Sequence, residues 1–197
     1  MLAFPVSHLD RVPWVNAIIT LELTLVPSDG VAPRAWSEPL ADFIMRFQKL
    51  ECLDLYVDTR LKQAAFSILS QNLELPHLRT LKLDGVDGLP EDLSRFFIKN
   101  RSTLREIFLE IIGVSTSTGG SWQTLLSEVR NQLQLTRLKM TQCDANGDDI
   151  CFAEDSFDRS NIIDVIGQDT RLLGRLIKSI MKGTPGHEER ASVLEIF

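Results

Sequence analysis

Leu78-Arg79-Thr80-Leu81-Lys82-Leu83 sets an aliphatic residue, two others, an aliphatic, one other and an aliphatic in a row. The same phrase stands at Ile18-x-x-Leu21-x-Leu23, Leu50-x-x-Leu53-x-Leu55, Leu104-x-x-Ile107-x-Leu109 and Leu135-x-x-Leu138-x-Met140. The five copies start at positions 18, 50, 78, 104 and 135, so successive starts lie 32, 28, 26 and 31 residues apart. Within a copy the last two aliphatics alternate with single other residues, the period of a short strand with one face turned inward. A spacing of this size that recurs along a chain is the signature of a repeat architecture.

The stretches between copies carry helical periodicity. Residues 39–50 place Leu40, Phe43, Ile44 and Phe47 on one face, and 60–71 do the same with Leu61, Ala65, Phe66 and Leu69. Residues 90–100 carry Leu93, Phe96 and Phe97 behind Pro90, a residue suited to a first helical turn. Residues 121–132 carry Trp122, Leu125, Leu126 and Val129, with Ser121 as N-cap. Strand thus alternates with helix, an order shared by doubly wound sheets and by leucine-rich repeats. Strands covered on both faces read as continuous apolar runs. Here the residues between the aliphatics are mostly polar, so helices are expected on one side only. The sequence therefore predicts an α/β fold, a leucine-rich-repeat solenoid of about five strand–helix repeats. Its parallel sheet would form the concave face and its helices the convex one. Cys143, at the ninth position of the fifth copy, is expected to be a buried structural thiol at a turn; Asp58 holds that place in the second copy and Val86 in the third.

The organisation that follows is an N-terminal flank (1–16), the solenoid (17–143), an acidic loop (144–160), a capping-helix region (161–183) and a tail (184–197). From 144 to 158 the chain holds six acidic residues and no basic one, with Asn146 and Gly147 marking a turn. That run lacks the sixth-position glycine and twelfth-position glutamate of a calcium loop, so a solvated acidic loop is expected. In 169–182, Leu172, Leu173, Leu176, Ile177, Ile180 and Met181 oppose Arg171, Arg175, Lys178 and Lys182, with Gly183 and Pro185 as stop signals. Such a helix suits the open end of a solenoid, which needs a cap.

A chain of 197 residues is long enough for a substantial core. Its net charge of −6 disfavours nonspecific binding to nucleic acid or to anionic membranes. Three scattered cysteines, Cys52, Cys143 and Cys151, form neither a disulfide framework nor a zinc site. No apolar run reaches the roughly 18 to 20 residues of a membrane span, and Pro5, His8 and Asp10 interrupt the apolar start. A cytoplasmic or nuclear protein is expected.

The run Leu75-Pro76-His77-Leu78-Arg79-Thr80-Leu81-Lys82-Leu83-Asp84-Gly85 resembles the repeat region of fungal F-box/leucine-rich-repeat proteins. Ser102-Thr103-Leu104-Arg105 before a strand and Gly120-Ser121-Trp122 opening a helix extend the resemblance over residues 17–143. It implies repeats that recruit a protein substrate, and an N-terminal F-box that docks on a Skp1–cullin ubiquitin ligase. The 17 residues before Ile18 are too few for that helical module, and 5–14 lack its Leu-Pro start. The sequence thus predicts the repeat part without its F-box, and Skp1 is not an expected partner of this stretch.

The residues show no constellation for catalysis. Gly119-Gly120-Ser121 lacks the lysine of a phosphate loop, no Gly-x-Ser-x-Gly elbow occurs, and His187-Glu188-Glu189-Arg190-Ala191 lacks the second histidine of a zinc protease. His8, His77 and His187 stand far apart in sequence. The expectation is a binding protein without metal or cofactor, its partner an unknown protein on the concave face. The residues between the aliphatics supply the candidates: Glu22, Asp54, Tyr56, Lys82, Asp84, Phe108, Glu110, Arg137 and Lys139. They run from acidic to basic along the repeats, with Tyr56 and Phe108 as aromatic anchors. The alternatives are an α/β enzyme with its site at the carboxyl ends of the strands, and a truncated remnant without function.

Overall fold

The computed structural model describes residues 13–26, 31–61, 63–115, 120–153, 159–160, 162–166 and 180–182. A 3-10 turn, Pro13–Ala17, leads into strand β1 (Thr20–Leu25). There follow α1 (Arg34–Met45), β2 (Cys52–Leu61), α2 (Gln63–Asn72), β3 (Thr80–Gly88), α3 (Pro90–Lys99) and β4 (Glu106–Glu110). Next come β5 (Gly113–Val114), α4 (Trp122–Gln132), β6 (Arg137–Thr141), β7 (Asp144–Ala145) and β8 (Asp148–Ala153). Strands β9 (Arg159–Ser160), β10 (Ile162–Ile166) and β11 (Ile180–Lys182) complete the described elements.

The five copies of the repeated phrase are five neighbouring strands. β1, β2, β3, β4 and β6 pair in parallel and in chain order, with Leu21, Leu53, Leu81, Ile107 and Leu138 in one row and Leu23, Leu55, Leu83, Leu109 and Met140 in the next. From β2 onward these aliphatics are buried. They meet an apolar layer from α1 to α4, including Ile44, Phe66, Phe96 and Trp122. Each helix packs on the next in the chain, α1 on α2, α2 on α3 and α3 on α4. Outward residues of the same strands are half-buried or exposed, so the helices cover one sheet face and leave the other open. The architecture is α/β with a mostly parallel sheet.

Buried polar groups tie successive units together, as buried donors and acceptors require. Asn100 accepts from the Leu75 backbone N–H at 2.9 Å and donates to the Phe96 carbonyl at 2.8 Å. Asp92 accepts from Ser70 of α2 at 3.5 Å and from Arg95 at 2.8 Å. Ser94 of α3 donates to Glu128 of α4. Cys143 is buried, its Sγ 3.6 Å from the Thr141 carbonyl and 4.0 Å from that of Leu109, the place expected of a structural thiol at a turn.

Several boundaries differ from the sequence reading. α1 begins at Arg34 instead of residue 39 and carries Pro39 inside it. The missing Pro39 N–H lies in the second turn, early enough for burial of Leu40 and Ile44 to hold the helix. β2 runs on to Leu61, which pairs with Val86 of β3, so α2 starts at Gln63 and not at residue 60. α3 and α4 start as expected, and Ser121 Oγ accepts from the Thr124 N–H at 3.2 Å.

The larger corrections lie after β6. The described residues of 144–160, a segment expected as a solvated acidic loop, lie in strands and one turn, while 154–158 lie outside the described residues. β7 and β8 form an antiparallel hairpin through Asn146 and Gly147, whose φ values of 55° and 85° suit a two-residue primed turn. β7 extends a short parallel ladder through the ends of β3 and β5, and Asp144 is buried. In the region expected as a capping helix, Ile162–Ile166 is a strand antiparallel to β6, and Ile180–Lys182 is a strand antiparallel to β8. Ile162, Ile163, Val165 and Ile166 are β-branched, which favours strand at an open sheet edge. The expected helix at 169–182 thus ends in strand, and its remaining residues, like those of the tail 184–197, lie outside the described residues. Among the described residues no helix is long and apolar enough to cross a membrane.

Candidate binding face

Parallel pairing in register converts the outward positions into three rows across the open face. The first row is Thr20, Cys52, Thr80, Glu106 and Arg137; the second is Glu22, Asp54, Lys82, Phe108 and Lys139. Thr24, Tyr56, Asp84, Glu110 and Thr141 form the third, at the carboxyl ends of the strands. All nine residues proposed from sequence therefore share one surface. Asp164 of β10 continues the second row beside Lys139.

The charges on this surface are unevenly satisfied. Lys82 Nζ donates to Asp54 at 2.9 Å, and that hydrogen bond holds the lysine pKa above its ordinary value. Arg137 makes two bonds to Asp164, at 3.0 and 2.7 Å, and lies 5.1 Å from the Phe108 ring centre in cation–π contact. The bond to Arg137 lowers the Asp164 pKa and the bond to Asp164 raises that of Arg137. Thr80 donates to Glu106 at 3.2 Å. The basic end expected at the last strand is thus partly cancelled, because β10 brings a carboxylate to it.

Asp84 is the exception. It pairs in register with Glu110 on one side and Tyr56 on the other. Its Oδ1 is buried and has no hydrogen-bond partner among the described residues. Burial raises its pKa above the usual carboxylate range, and repulsion from Glu110 and Asp54 adds to the rise. Beside it Tyr56 is 39 % exposed, the one aromatic among the exposed large apolar side chains of the described residues. Cys52, also on this face, has its thiol pushed up chiefly by burial, which disfavours the reactive thiolate.

A separate cleft of about 340 Å³ lies at the carboxyl ends of β3, β5 and β7, where an enzyme of this class would hold its site. Asp87, Ser115, Asp144 and Asn146 supply its polar lining, with Gln63 at the start of α2. Asp144 Oδ1 accepts from the Gly147 N–H at 2.9 Å, and its carbonyl accepts from Trp122 Nε1 at 2.9 Å. That carboxylate and backbone therefore brace the hairpin turn against α4. Among the described residues no histidine, cysteine, lysine or arginine lines the cleft. Among them, too, no group of three or more histidine, cysteine or acidic side chains could hold a metal ion.

Sequence reading missed Asp164, whose signal was the β-branched run around it, and Asn100, which carries no periodic signal at all. No protein-family model, no curated protein and no solved structure matches the chain.

Proposed function

We propose that the chain is a leucine-rich-repeat solenoid that works as a protein–protein interaction module rather than a catalyst. Its open sheet face takes a partner segment that presents a lysine or arginine. The observation that carries this reading is the Asp84–Glu110 pair beside Tyr56. Lys82 and Arg137 already serve Asp54 and Asp164, and Lys139 stands two strands away on β6, so among the described residues no cation of the rows pairs with Asp84. A partner cation seated there relieves the repulsion between the carboxylates and gains the face of Tyr56. The narrower form, the substrate-recognition part of an F-box-type ubiquitin-ligase adaptor, is a proposal supported by the sequence resemblance alone.

The test is direct binding of a purified partner, found by affinity capture, to the chain and its variants. Asp84→Asn and Tyr56→Ala are each expected to weaken binding about tenfold or more. Full affinity in a Tyr56→Ala, Phe108→Ala double variant would remove the open face as the site.

The free protein should show the same electrostatics with the opposite sign. Because the folded-state pKa of Asp84 is raised, the folded chain holds its proton more readily than the unfolded chain. Stability from this group is therefore greatest at acid pH and is lost as pH rises through the raised pKa. Asp84→Asn should stabilise the fold at neutral pH, by no more than about 1 kcal/mol once solvent screening is counted. Denaturant titrations at neutral pH and near pH 4 should show that advantage shrinking in acid. An Asp84→Asn protein less stable than the parent at neutral pH refutes the strained carboxylate.

A further inference from the structure

The two ends of the parallel sheet are finished differently. β6 is covered along its outer edge by β10. β1 pairs with β2 on one side, and among the described residues nothing pairs with its other edge. Leu21 and Leu23 are only half-buried there, whereas Leu53, Leu55, Leu81 and Leu83 in the same rows are at most 2 % exposed. Ile19 and Val26, which flank the strand, are 53 % and 59 % exposed. Edge strands are ordinarily guarded by lysine, proline or a bulge. Thr20-Leu21-Glu22-Leu23-Thr24-Leu25 has neither lysine nor proline, and its pairing with β2 runs without a register shift.

We propose that this edge binds β1 of a second copy, antiparallel and about a two-fold axis through Leu23. The strand's own sequence points to that occupant. In an antiparallel pair, residues opposite one another share a face, so leucines meet leucines only in alternate registers. One long register sets Glu22 against Glu22, which is repulsive. The next sets Leu23 against Leu23, Leu21 against Leu25, and Glu22 against Thr24, whose hydroxyl can donate to the carboxylate. That register joins seven residues, from Thr20 to Val26, with the Leu23 pair on the axis and every other pair occurring twice, as a two-fold contact requires. It continues the leucine rows from one copy into the other and covers the side chains that β1 leaves half-open. This self-association is independent of the partner proposed for the open face.

Sedimentation or light scattering across a concentration series tests it through Thr24, which is exposed and faces away from the helices. Wild-type chain should dimerise reversibly. Thr24→Glu sets two carboxylate pairs across the axis and should weaken the dimer about tenfold or more, whereas Thr24→Lys should strengthen it. Combining Glu22→Lys with Thr24→Glu should restore association, while the thermal midpoint of the dissociated chain stays within a few degrees throughout. A wild type that stays monomeric into the hundred-micromolar range overturns the proposal. So does a dimer indifferent to the sign of charge at Thr24.

Discussion

Leu81→Asp is expected to leave no cooperative unfolding transition at room temperature. Leu81 is fully buried and stands in register between Leu53 and Ile107, at the middle of the five-strand row. Shortening a buried leucine costs roughly 2–5 kcal/mol in transfer energy and cavity. A carboxylate in its place adds several more, since Leu81 is fully buried within the apolar cluster between sheet and helices. Set against a total stability of about 5–15 kcal/mol for a domain, that is enough to unfold it. The next residue toward the strand start supplies the control. Thr80→Ala on the open face loses one half-exposed hydrogen bond to Glu106, worth about 1 kcal/mol or less. Circular dichroism during urea titration separates the two, and a Leu81→Asp chain that melts cooperatively at an unchanged temperature would show that these strands do not share one core.

The alternation of Leu81 and Leu83 with Thr80, Lys82 and Asp84 was legible because a strand exposes its period directly in sequence. It yielded the parallel rows, the helix side and the membership of the open face. Charge pairing across that face was not legible. Lys82 meets Asp54 and Arg137 meets Asp164 through neighbours 28 and 27 residues away, and only register decides which pairs face each other. The region after β6 misled for a related reason. Acidic residues read as solvated, yet Asp144 is buried because its carboxylate caps the Gly147 turn and its carbonyl takes the Trp122 indole. Apolar residues at helical spacing near the end did not reveal that Ile162–Ile166 closes a sheet edge, since short β-branched runs are decided by what lies beside them. Asp84 sits between these cases. Its place on the face followed from the repeat, but the want of a partner for its Oδ1 among the described residues followed only from where Lys82 turned.

Gly85→Ala is expected to destabilise the fold by roughly 2–4 kcal/mol, out of proportion to one methyl group. Gly85 is the eighth residue of the third copy and has φ of +70°. The eighth residues of the next two copies, Ile111 and Gln142, have φ of 52° and 51°, so the chain makes the same left-handed turn after β4 and β6 that it makes within β3. Side chains evidently tolerate that turn at the two later positions, for a penalty of about 1–2 kcal/mol. What sets Gly85 apart is contact. A Cβ there would lie 2.3 Å from the Val57 carbonyl oxygen, a backbone atom of the adjacent strand whose side chain is buried in the core. Relief would require β2 and β3 to part just where Leu61 and Val86 resume their pairing. Gly147 provides the comparison, with φ of +85° and nothing within 4 Å of where a Cβ would stand. Gly147→Ala should therefore cost only the conformational term of about 1 kcal/mol. Equal losses for the two variants in denaturant melts would mean that the turn alone selects glycine. A larger loss at Gly85 means that the close approach of successive repeats does.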